Sequence, residues 1–267
     1  MSLPAFVHPN LSGVVAGDVV ELGGSEGRHA VAVKRISVGE KVLLIPLPDL
    51  SADGDRLIQL PYPATRVVAT VAAIAGKDTL TATVDSVEQL PTPQPLVTVV
   101  QAIPKSERAE LAIDLSTQGG ADAFIAWQAD RCVARWDAKK APKAREKWQA
   151  AAIAAAKQSR RANIPAVRGP VTTAQLVQLL GTAAEDNTAL FLLHEEATNS
   201  VKDVALPTGD NAHVILIIGP EGGIGAEETA QLEAAGAVKI KLGPEVLRTA
   251  SAGIVALAAL GVRTERW

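Results

Sequence analysis

The chain has little of what several common kinds of site require. It contains one cysteine in 267 residues, which excludes an internal disulfide and a multi-cysteine metal centre and indicates a reducing compartment. Only 3% of its residues are aromatic, so a platform of stacked aromatic rings for nucleic acid is not expected. The sequence shows no apolar run of about 18 residues, no leader-like N-terminus and no clustered metal ligands. We therefore expect a cytoplasmic protein without a membrane span or a metal.

Charge is distributed unevenly along the chain. The net charge is −3, which argues against a general nucleic-acid-binding protein. Between Arg131 and Arg168, however, eleven Lys or Arg residues stand against two carboxylates, Asp137 and Glu146. Such a tract neutralises RNA phosphates in some proteins and is a solvated helix face with a lysine-rich loop in others, so the pattern leaves both interpretations open.

Two patterns of secondary structure divide the chain. Residues 1–90 predict short strands separated by Gly, Pro and Asp turns, which is typical of a small β-barrel. The prolines at 91, 93 and 95 form a stiff linker. In residues 91–267 strands and helices alternate, which indicates an α/β domain with a largely parallel sheet. The predicted strands are 18–22, 41–45, 66–71, 79–87, 96–102, 124–127, 190–193, 214–218 and 238–242, and the predicted helices are 107–118, 143–161, 176–180, 226–235 and 250–260.

A glycine-rich bend follows the predicted strand that ends at Ile218. Its sequence, G-P-E-G-G-I-G from Gly219 to Gly225, allows close approach of the backbone to a ligand and offers unpaired N–H groups. Its spacing matches neither G-x-G-x-x-G nor G-x-x-x-x-G-K-[ST]. Three carboxylates, Glu221, Glu227 and Glu228, also crowd the place of a pyrophosphate. The bend therefore predicts a ligand without phosphates, neutral or partly cationic.

A second bend, K-L-G-P-E-V-L-R-T from Lys241 to Thr249, also joins a strand to a helix. Both bends should lie at the carboxyl edge of one sheet, where open α/β folds bind ligands. Together they would form a cleft with apolar walls, backbone donors and acceptors, and one cation, Arg248. Two ordinary tight connections would use the same residues, because Gly and Pro mark turns of every kind.

These motifs resemble the ribosomal RNA small subunit methyltransferase E family of the SPOUT superfamily. The resemblance also includes Trp148, the segment Q-S-R-R at 158–161 with Pro165, F-L-L-H-E at 191–195, and the N-terminal residues 28–35. The matching segments occur in the family's order over nearly the whole chain.

The resemblance implies a fold and an activity. The fold would be a PUA-like RNA-binding β-barrel followed by a SPOUT-type α/β domain with a trefoil knot near its C-terminus. The activity would be methylation of N3 of a uridine in 16S ribosomal RNA, free or in an assembled small subunit. The methyl donor would be S-adenosyl-L-methionine, bound in the knotted loops of a homodimer.

The resemblance and the two bends together give the candidate site residues. We expect Arg248 to stabilise negative charge on a uracil oxygen, unless a salt bridge to Glu245 occupies it. Glu221 is expected to orient the cofactor or accept the N3 proton. The predicted cofactor-binding residues are Leu193, Gly219, Glu221, Gly222, Gly223, Leu242, Gly243, Leu247 and Thr249, and the predicted RNA-binding residues are Arg28, Lys34, Arg35, Arg160 and Arg161.

The chain also departs from the family pattern, which leaves other functions open. Leu115, Gln118, Gly119, Lys241, Glu245 and Ala250 replace the usual family side chains. A catalytically altered RNA-binding or ribosome-assembly protein would account for these changes. A SPOUT 2'-O-ribose methyltransferase is a second alternative, although its N-x-G-x-x-x-R element is missing. A nicotinamide oxidoreductase is disfavoured because the dinucleotide fingerprint is absent.

Overall fold

The structure, a computed structural model, describes residues 3–48, 64–183 and 187–267. The chain divides into two compact units. The described part of the first unit comprises residues 3–48, 64–92 and Ala156–Ile164, and that of the second comprises 93–155, 165–183 and 187–267. None of the helices in these described segments is both long enough and apolar enough to cross a membrane.

The first unit is built on a five-stranded, mostly antiparallel sheet. Some of its strands alternate buried and more exposed residues, whereas residues 42–45 are buried in succession, and the sheet covers a core that includes Phe6, Val42, Val67 and Leu80. The sheet order is β1-β3-β4-β5-β2, and only the β1–β3 pair is parallel. The strands are β1 (Ala5–His8), β2 (Val19–Leu22), β3 (Lys41–Pro46), β4 (Ala64–Ala75) and β5 (Thr79–Leu90).

The two end strands of this sheet approach each other. The His8 ring nitrogen Nε2 lies 3.1 Å from the carbonyl oxygen of Glu21 in β2, so side chain and backbone link β1 to β2. Residues of both strands also contribute to the same core. Among the described residues, however, the backbones of β1 and β2 do not pair, so the sheet is not closed. The closed PUA-like barrel remains a prediction.

A helical segment between β2 and β3 was not predicted. It consists of a short helix α1 (Gly24–Arg28) and a π-helical turn (His29–Val33). Gly27 permits this segment to pack closely, because an added Cβ would lie 2.0 Å from the carbonyl oxygen of Asp78. The sequence prediction is incomplete here because a five-residue helix has too few residues to display a helical period.

The second unit contains a seven-stranded, entirely parallel sheet in the order β10-β12-β9-β11-β6-β7-β8. Its central strands are continuous apolar runs because helices cover both faces of such sheets. The strands are β6 (Leu96–Ala102), β7 (Ala123–Gln128), β8 (Ala166–Thr172), β9 (Thr188–Leu193), β10 (Asn199–Ser200), β11 (His213–Ile218) and β12 (Val238–Lys241). The helices are α2 (Ser106–Gln118), α3 (Ala141–Ser159), α4 (Thr173–Ala183), α5 (Ala226–Ala234) and α6 (Thr249–Gly261).

Strand β8 shows why one element escaped prediction. Its sequence contains Gly169 and Pro170, which normally mark a turn. In the structure Gly169 has a φ of +92°, an added Cβ would lie 2.7 Å from the carbonyl oxygen of Ala126, and the β7–β8 register shifts at this point. The Gly-Pro pair therefore forms a β-bulge within an edge strand.

Candidate active site

The strands that precede the predicted motifs end side by side in the sheet. Leu193, the last residue of β9, pairs with Ile218 of β11 on one side and with Ile240 of β12 on the other. Because all three strands are parallel, the glycine-rich bend and the second bend leave the sheet on either side of Leu193. This is the carboxyl edge at which α/β folds bind ligands.

One side chain joins the two bends directly. The hydroxyl of Thr249, at the start of α6, donates a hydrogen bond of 2.6 Å to the carbonyl oxygen of Gly219. The same hydroxyl accepts a hydrogen bond of 3.0 Å from Nε2 of Gln101, the buried polar residue near the end of β6. The predicted proximity of the bends is therefore confirmed. Sequence analysis did not single out Gln101, although a glutamine near the end of an apolar strand is the signal that marks it.

The glycine-rich bend is shaped by close contacts. An added Cβ on Gly219 would lie 2.6 Å from Cγ1 of Ile224, so this position does not accept a side chain without rearrangement. Gly223 has a φ of +71°, which favours glycine. Gly222 lies against the backbone of Arg131, whose guanidinium Nη1 donates to the Gly222 carbonyl oxygen at 3.3 Å.

The carboxylate of Glu221 is held by the neighbouring strand end. Its Oε1 accepts a hydrogen bond of 3.2 Å from the backbone N–H of Lys105, the residue that precedes α2. The Glu221 side chain is otherwise exposed at the mouth of the cleft. This contact suits an orienting role for Glu221 and leaves its other carboxylate oxygen available to a ligand.

Arg248 lies in the second bend, immediately before the buried Thr249. Its carbonyl oxygen accepts the N–H groups of Ser251 and Ala252, which fixes its backbone at the start of α6. Its side chain is exposed, and among the described residues it forms no ion pair, with Glu245 or with any other carboxylate. The guanidinium is therefore available to a substrate.

Apolar side chains line the rest of the cleft edge. Leu193 and Leu242 are partly buried against the core of the second unit, and Leu247 is 36% exposed. Gly243 is exposed and has ordinary van der Waals space around it. All of the predicted cofactor-binding residues are thus located in the two bends or at the end of β9, and their contact with a cofactor stays a prediction.

One of the three carboxylates assigned to the glycine-rich bend is directed elsewhere. Glu228 is only 2% exposed, and its Oε1 accepts hydrogen bonds from the backbone N–H of Asp130 at 3.0 Å and from the hydroxyl of Thr173 at 2.5 Å. The expectation that Glu228 crowds the ligand is therefore wrong. The helical turn points this side chain into the protein, where it anchors the loop after β7.

The five predicted RNA-binding residues all belong to the first unit. Arg28, Lys34, Arg35 and Arg160 are exposed, and Arg161 is partly buried. Lys157, three residues before Arg160, forms a salt bridge of 2.7 Å with Glu26 of α1. Glu26 also accepts the N–H of Val7, so this ion pair brings the segment that carries Arg28 next to the end of α3.

The basic tract identified in the sequence is not solvated throughout. Arg168 is buried in β8, and Lys157 is paired with Glu26, so neither is a solvated cation. The remaining members lie in the loop after β7, along the first half of α3 and at the end of α3. Neither interpretation therefore applies to these two residues, and both stay open for the other nine.

Three departures from the family pattern have a structural setting. Gly119 is buried against α6, and an added Cβ would lie 3.2 Å from Cγ1 of Ile254. Ala250 is 4% exposed at the start of α6, where a glutamate would require a buried partner. Gln118 is exposed and donates to Asp114 one turn earlier. The structure gives no account of the changes at Leu115, Lys241 and Glu245.

Cys132, His213 and His29 lie in packing or hydrogen-bonding environments. Cys132 is buried, and burial raises the pKa of its thiol to about 11, which fits the prediction of an inert small hydrophobe. His213 is 8% exposed beside the Thr98 hydroxyl, and burial lowers the pKa of its ring to about 4. His29 packs edge-on against Phe6.

Comparison with known proteins places this geometry in a family. The RNA methyltransferase domain model matches residues 91–261. Ribosomal RNA small subunit methyltransferase E of Mycobacterium tuberculosis is 45% identical over 251 residues, covering 94% of this chain and 89% of that protein, and its Bacillus subtilis counterpart is 35% identical over 63% of this chain and 66% of that protein. Among solved structures, the putative methyltransferase Lpg2936 of Legionella pneumophila, in complex with S-adenosylmethionine, is 27% identical with a TM-score of 0.81 over 98% of both chains. The Neisseria gonorrhoeae methyltransferase E structure, bound to S-adenosyl methionine, has the same TM-score and coverage at 22% identity and shows the shared fold. The prediction from the sequence motifs is confirmed, and the chain belongs to the ribosomal RNA small subunit methyltransferase E family.

Proposed function

We propose that this protein transfers the methyl group of S-adenosyl-L-methionine to N3 of a uridine in 16S ribosomal RNA. Family membership supports the more general statement that the protein is an S-adenosylmethionine-dependent methyltransferase that acts on ribosomal RNA. The choice of uracil N3 goes further: the family resemblance implies it, and the residues of the cleft are compatible with it. The observation that supports it is the exposed Arg248, which forms no ion pair with any described carboxylate, beside two bends that the Thr249–Gly219 hydrogen bond holds together.

The cleft suits a sulfonium donor better than a dinucleotide. Its two glycine-proline bends supply backbone donors and acceptors and apolar walls, and neither has the glycine spacing of a pyrophosphate loop. When bound, S-adenosylmethionine supplies the activated methyl group. The residues that would hold it are Leu193, the Gly219–Gly223 segment and the segment from Leu242 to Thr249.

Uracil N3 carries a proton at neutral pH, so the site has to favour its removal. The negative charge that develops spreads to O2 and O4 of the base, and a guanidinium placed at one of these oxygens stabilises it. We assign this role to Arg248, which has no carboxylate partner among the described residues and so keeps its guanidinium available. Glu221, with one carboxylate oxygen held by Lys105, orients the cofactor or accepts the proton.

The target uridine must be unpaired or extruded, because N3 belongs to the Watson–Crick edge. Binding the surrounding RNA falls to Arg28, Lys34, Arg35, Arg160 and Arg161 of the first unit. We propose that a PUA-like barrel carries these residues. The Glu26–Lys157 salt bridge places α1, which contains Arg28, beside the end of α3, which precedes Arg160 and Arg161.

A homodimer and a trefoil knot are proposed with this function. Helices α2 and α6 pack on each other, and Leu111 of α2, Val255 of α6 and Val262 just after α6 are exposed apolar residues that a partner subunit would cover. Arg263, just after α6, donates to the carbonyl oxygens of Val201 and Val204, so the C-terminal chain contacts the segment that precedes β11. This contact is compatible with the knot that the family resemblance implies.

The test is methyl transfer from labelled S-adenosylmethionine to small ribosomal subunits isolated from a strain that lacks the gene, and in parallel to protein-free 16S RNA. The RNA is digested to nucleosides, which are separated and identified by mass spectrometry. We expect 3-methyluridine at one site. A labelled 2'-O-methylnucleoside would establish the ribose alternative instead, and RNA binding without incorporation would establish the non-catalytic one.

A further inference from the structure

The loop that follows β7 places an arginine against the glycine-rich bend. Strands β11, β6 and β7 are neighbours in the parallel sheet, so their carboxyl ends lie side by side. The bend after β11 is contacted on one side by Lys105, which follows β6, and on another by Arg131, which follows β7. Lys105 makes this contact through its backbone N–H and Arg131 through its guanidinium. Neither residue is among those predicted from the sequence motifs.

The loop that carries Arg131 is braced at several points. Its first turn is anchored through the backbone N–H of Asp130 to the buried carboxylate of Glu228. Further along, the side chain of Gln128 closes it, accepting the N–H of Trp136 at 2.9 Å and donating to the carbonyl oxygen of Ala134 at 3.0 Å. The ring of Trp136 packs edge-on against the buried Trp148 with centroids 4.8 Å apart. A loop held this way presents a side chain in a defined position.

The guanidinium of Arg131 has unused donors. It is exposed, and the contact that it makes is to the uncharged carbonyl oxygen of Gly222. Among the ion pairs of the described residues, none involves Arg131. An arginine has five N–H donors in a planar fork that matches the oxygens of a phosphate, so one contact leaves most of this capacity free.

We propose that Arg131 binds a backbone phosphate next to the target nucleotide and so positions the extruded base at the glycine-rich bend. This inference rests on the proposed function, because it requires an RNA substrate at the cleft. The bend itself lacks the features of a phosphate site, whereas the adjoining arginine supplies them. Arg131 is thus a positioning residue for substrate, and it makes no contact with the methyl donor.

The experiment compares Arg131→Ala with Arg145→Ala. Arg145 is an exposed arginine of α3 in the same basic tract, so both variants lose one positive charge. For each protein we would measure RNA affinity over a range of salt, cofactor affinity by calorimetry, and single-turnover methylation. Arg131→Ala should weaken RNA binding by about 10-fold or more and lower the salt slope by about one, with cofactor affinity unchanged. Arg145→Ala should change RNA affinity by much less.

Two further variants distinguish the loss of the phosphate contact from misfolding of the protein. Arg131→Lys keeps the charge and loses the planar fork, so it should retain the salt slope while binding RNA more weakly than the wild type. Arg131→Gln keeps length and polarity and should behave as the alanine variant does. Equal effects of Arg131→Ala and Arg145→Ala on RNA binding would overturn the proposal, and so would a loss of cofactor affinity in Arg131→Ala. Failure of the proposed function is seen separately, as a wild-type protein that does not form 3-methyluridine.

Discussion

The hydroxyl of Thr249 lies 2.6 Å from the carbonyl oxygen of Gly219, although 30 residues separate them in the chain. Thr249 begins α6 and ends the second bend, whereas Gly219 begins the glycine-rich bend. The hydrogen bond therefore fixes the distance between the two halves of the proposed cofactor cleft. Gln101, which donates to the same hydroxyl, ties this junction to the end of β6.

Replacing Thr249 with valine should disrupt this junction while preserving its volume. The Gly219 carbonyl and the Gln101 amide would each lose a buried partner, which costs about 1–3 kcal/mol. We expect a lower thermal midpoint and a loss of about 10-fold in cofactor affinity, measured by calorimetry. Thr249→Ser keeps the hydroxyl and should restore most of both. Wild-type cofactor affinity in the valine variant would show that the cleft does not depend on the junction.

Arg248→Ala tests the electrostatic part of the mechanism. If the guanidinium stabilises charge that appears only as N3 loses its proton, the single-turnover rate should fall by about 100-fold or more. Cofactor affinity should remain near that of the wild type. Arg248→Lys provides the matched control and should retain part of the rate. A variant that loses cofactor binding instead would assign Arg248 to the donor and remove it from the chemistry.

The RNA contacts of the first unit are tested through salt dependence. Single substitutions Arg160→Ala and Arg161→Ala should each lower the slope of log affinity against log salt by about one if each side chain binds a phosphate. Arg66→Ala is a control in the same unit, because the Arg66 guanidinium is already paired with Glu88. The assignment fails if all three variants have the wild-type slope.

His213 predicts a specific dependence of stability on pH. Burial lowers the pKa of its ring from an ordinary 6.5 to about 4, so the folded protein keeps it neutral in a range where the unfolded chain binds a proton. Stability from this residue is therefore complete above about pH 6.5 and decreases as the pH falls toward 4, by about 2 kcal/mol between pH 7 and pH 5.

Denaturant unfolding at both pH values measures this effect. His213→Gln retains a polar partner for the Thr98 hydroxyl and cannot titrate. Its free energy of unfolding should change less between the two pH values than that of the wild type, by about 2 kcal/mol. An identical pH dependence in the two proteins would show that His213 is not the group responsible.

Much of the second unit could be predicted because its strands are apolar runs between clear turns. Strand β6, for example, occupies the predicted residues 96–102, and β11 begins one residue before the predicted start at 214. Strand β8 was missed because Gly169 and Pro170 serve a bulge that only the neighbouring β7 explains. Helix α1 was missed because its five residues are too few to display a helical period.

The candidate site was likewise predicted only in part from the sequence. The two bends and Arg248 could be located from sequence, because glycine, proline and a flanking strand identify a turn at a sheet edge. The residues that position them could not. Gln101, Lys105 and Arg131 contact the bends from other strand ends, and only the sheet order β11-β6-β7 brings them there. The inward direction of Glu228 likewise depends on the loop that it anchors.

The central claim is that the two glycine-proline bends enclose a methyl donor. A crystal structure of this protein with S-adenosylmethionine tests it most directly. We predict that the donor lies over the end of β9, in contact with the backbone of Gly219–Gly223 and of Leu242–Leu247, with its methyl group directed toward the side of the cleft that carries Arg248. A donor bound away from both bends, or crystals that contain none at saturating concentration, would contradict the account.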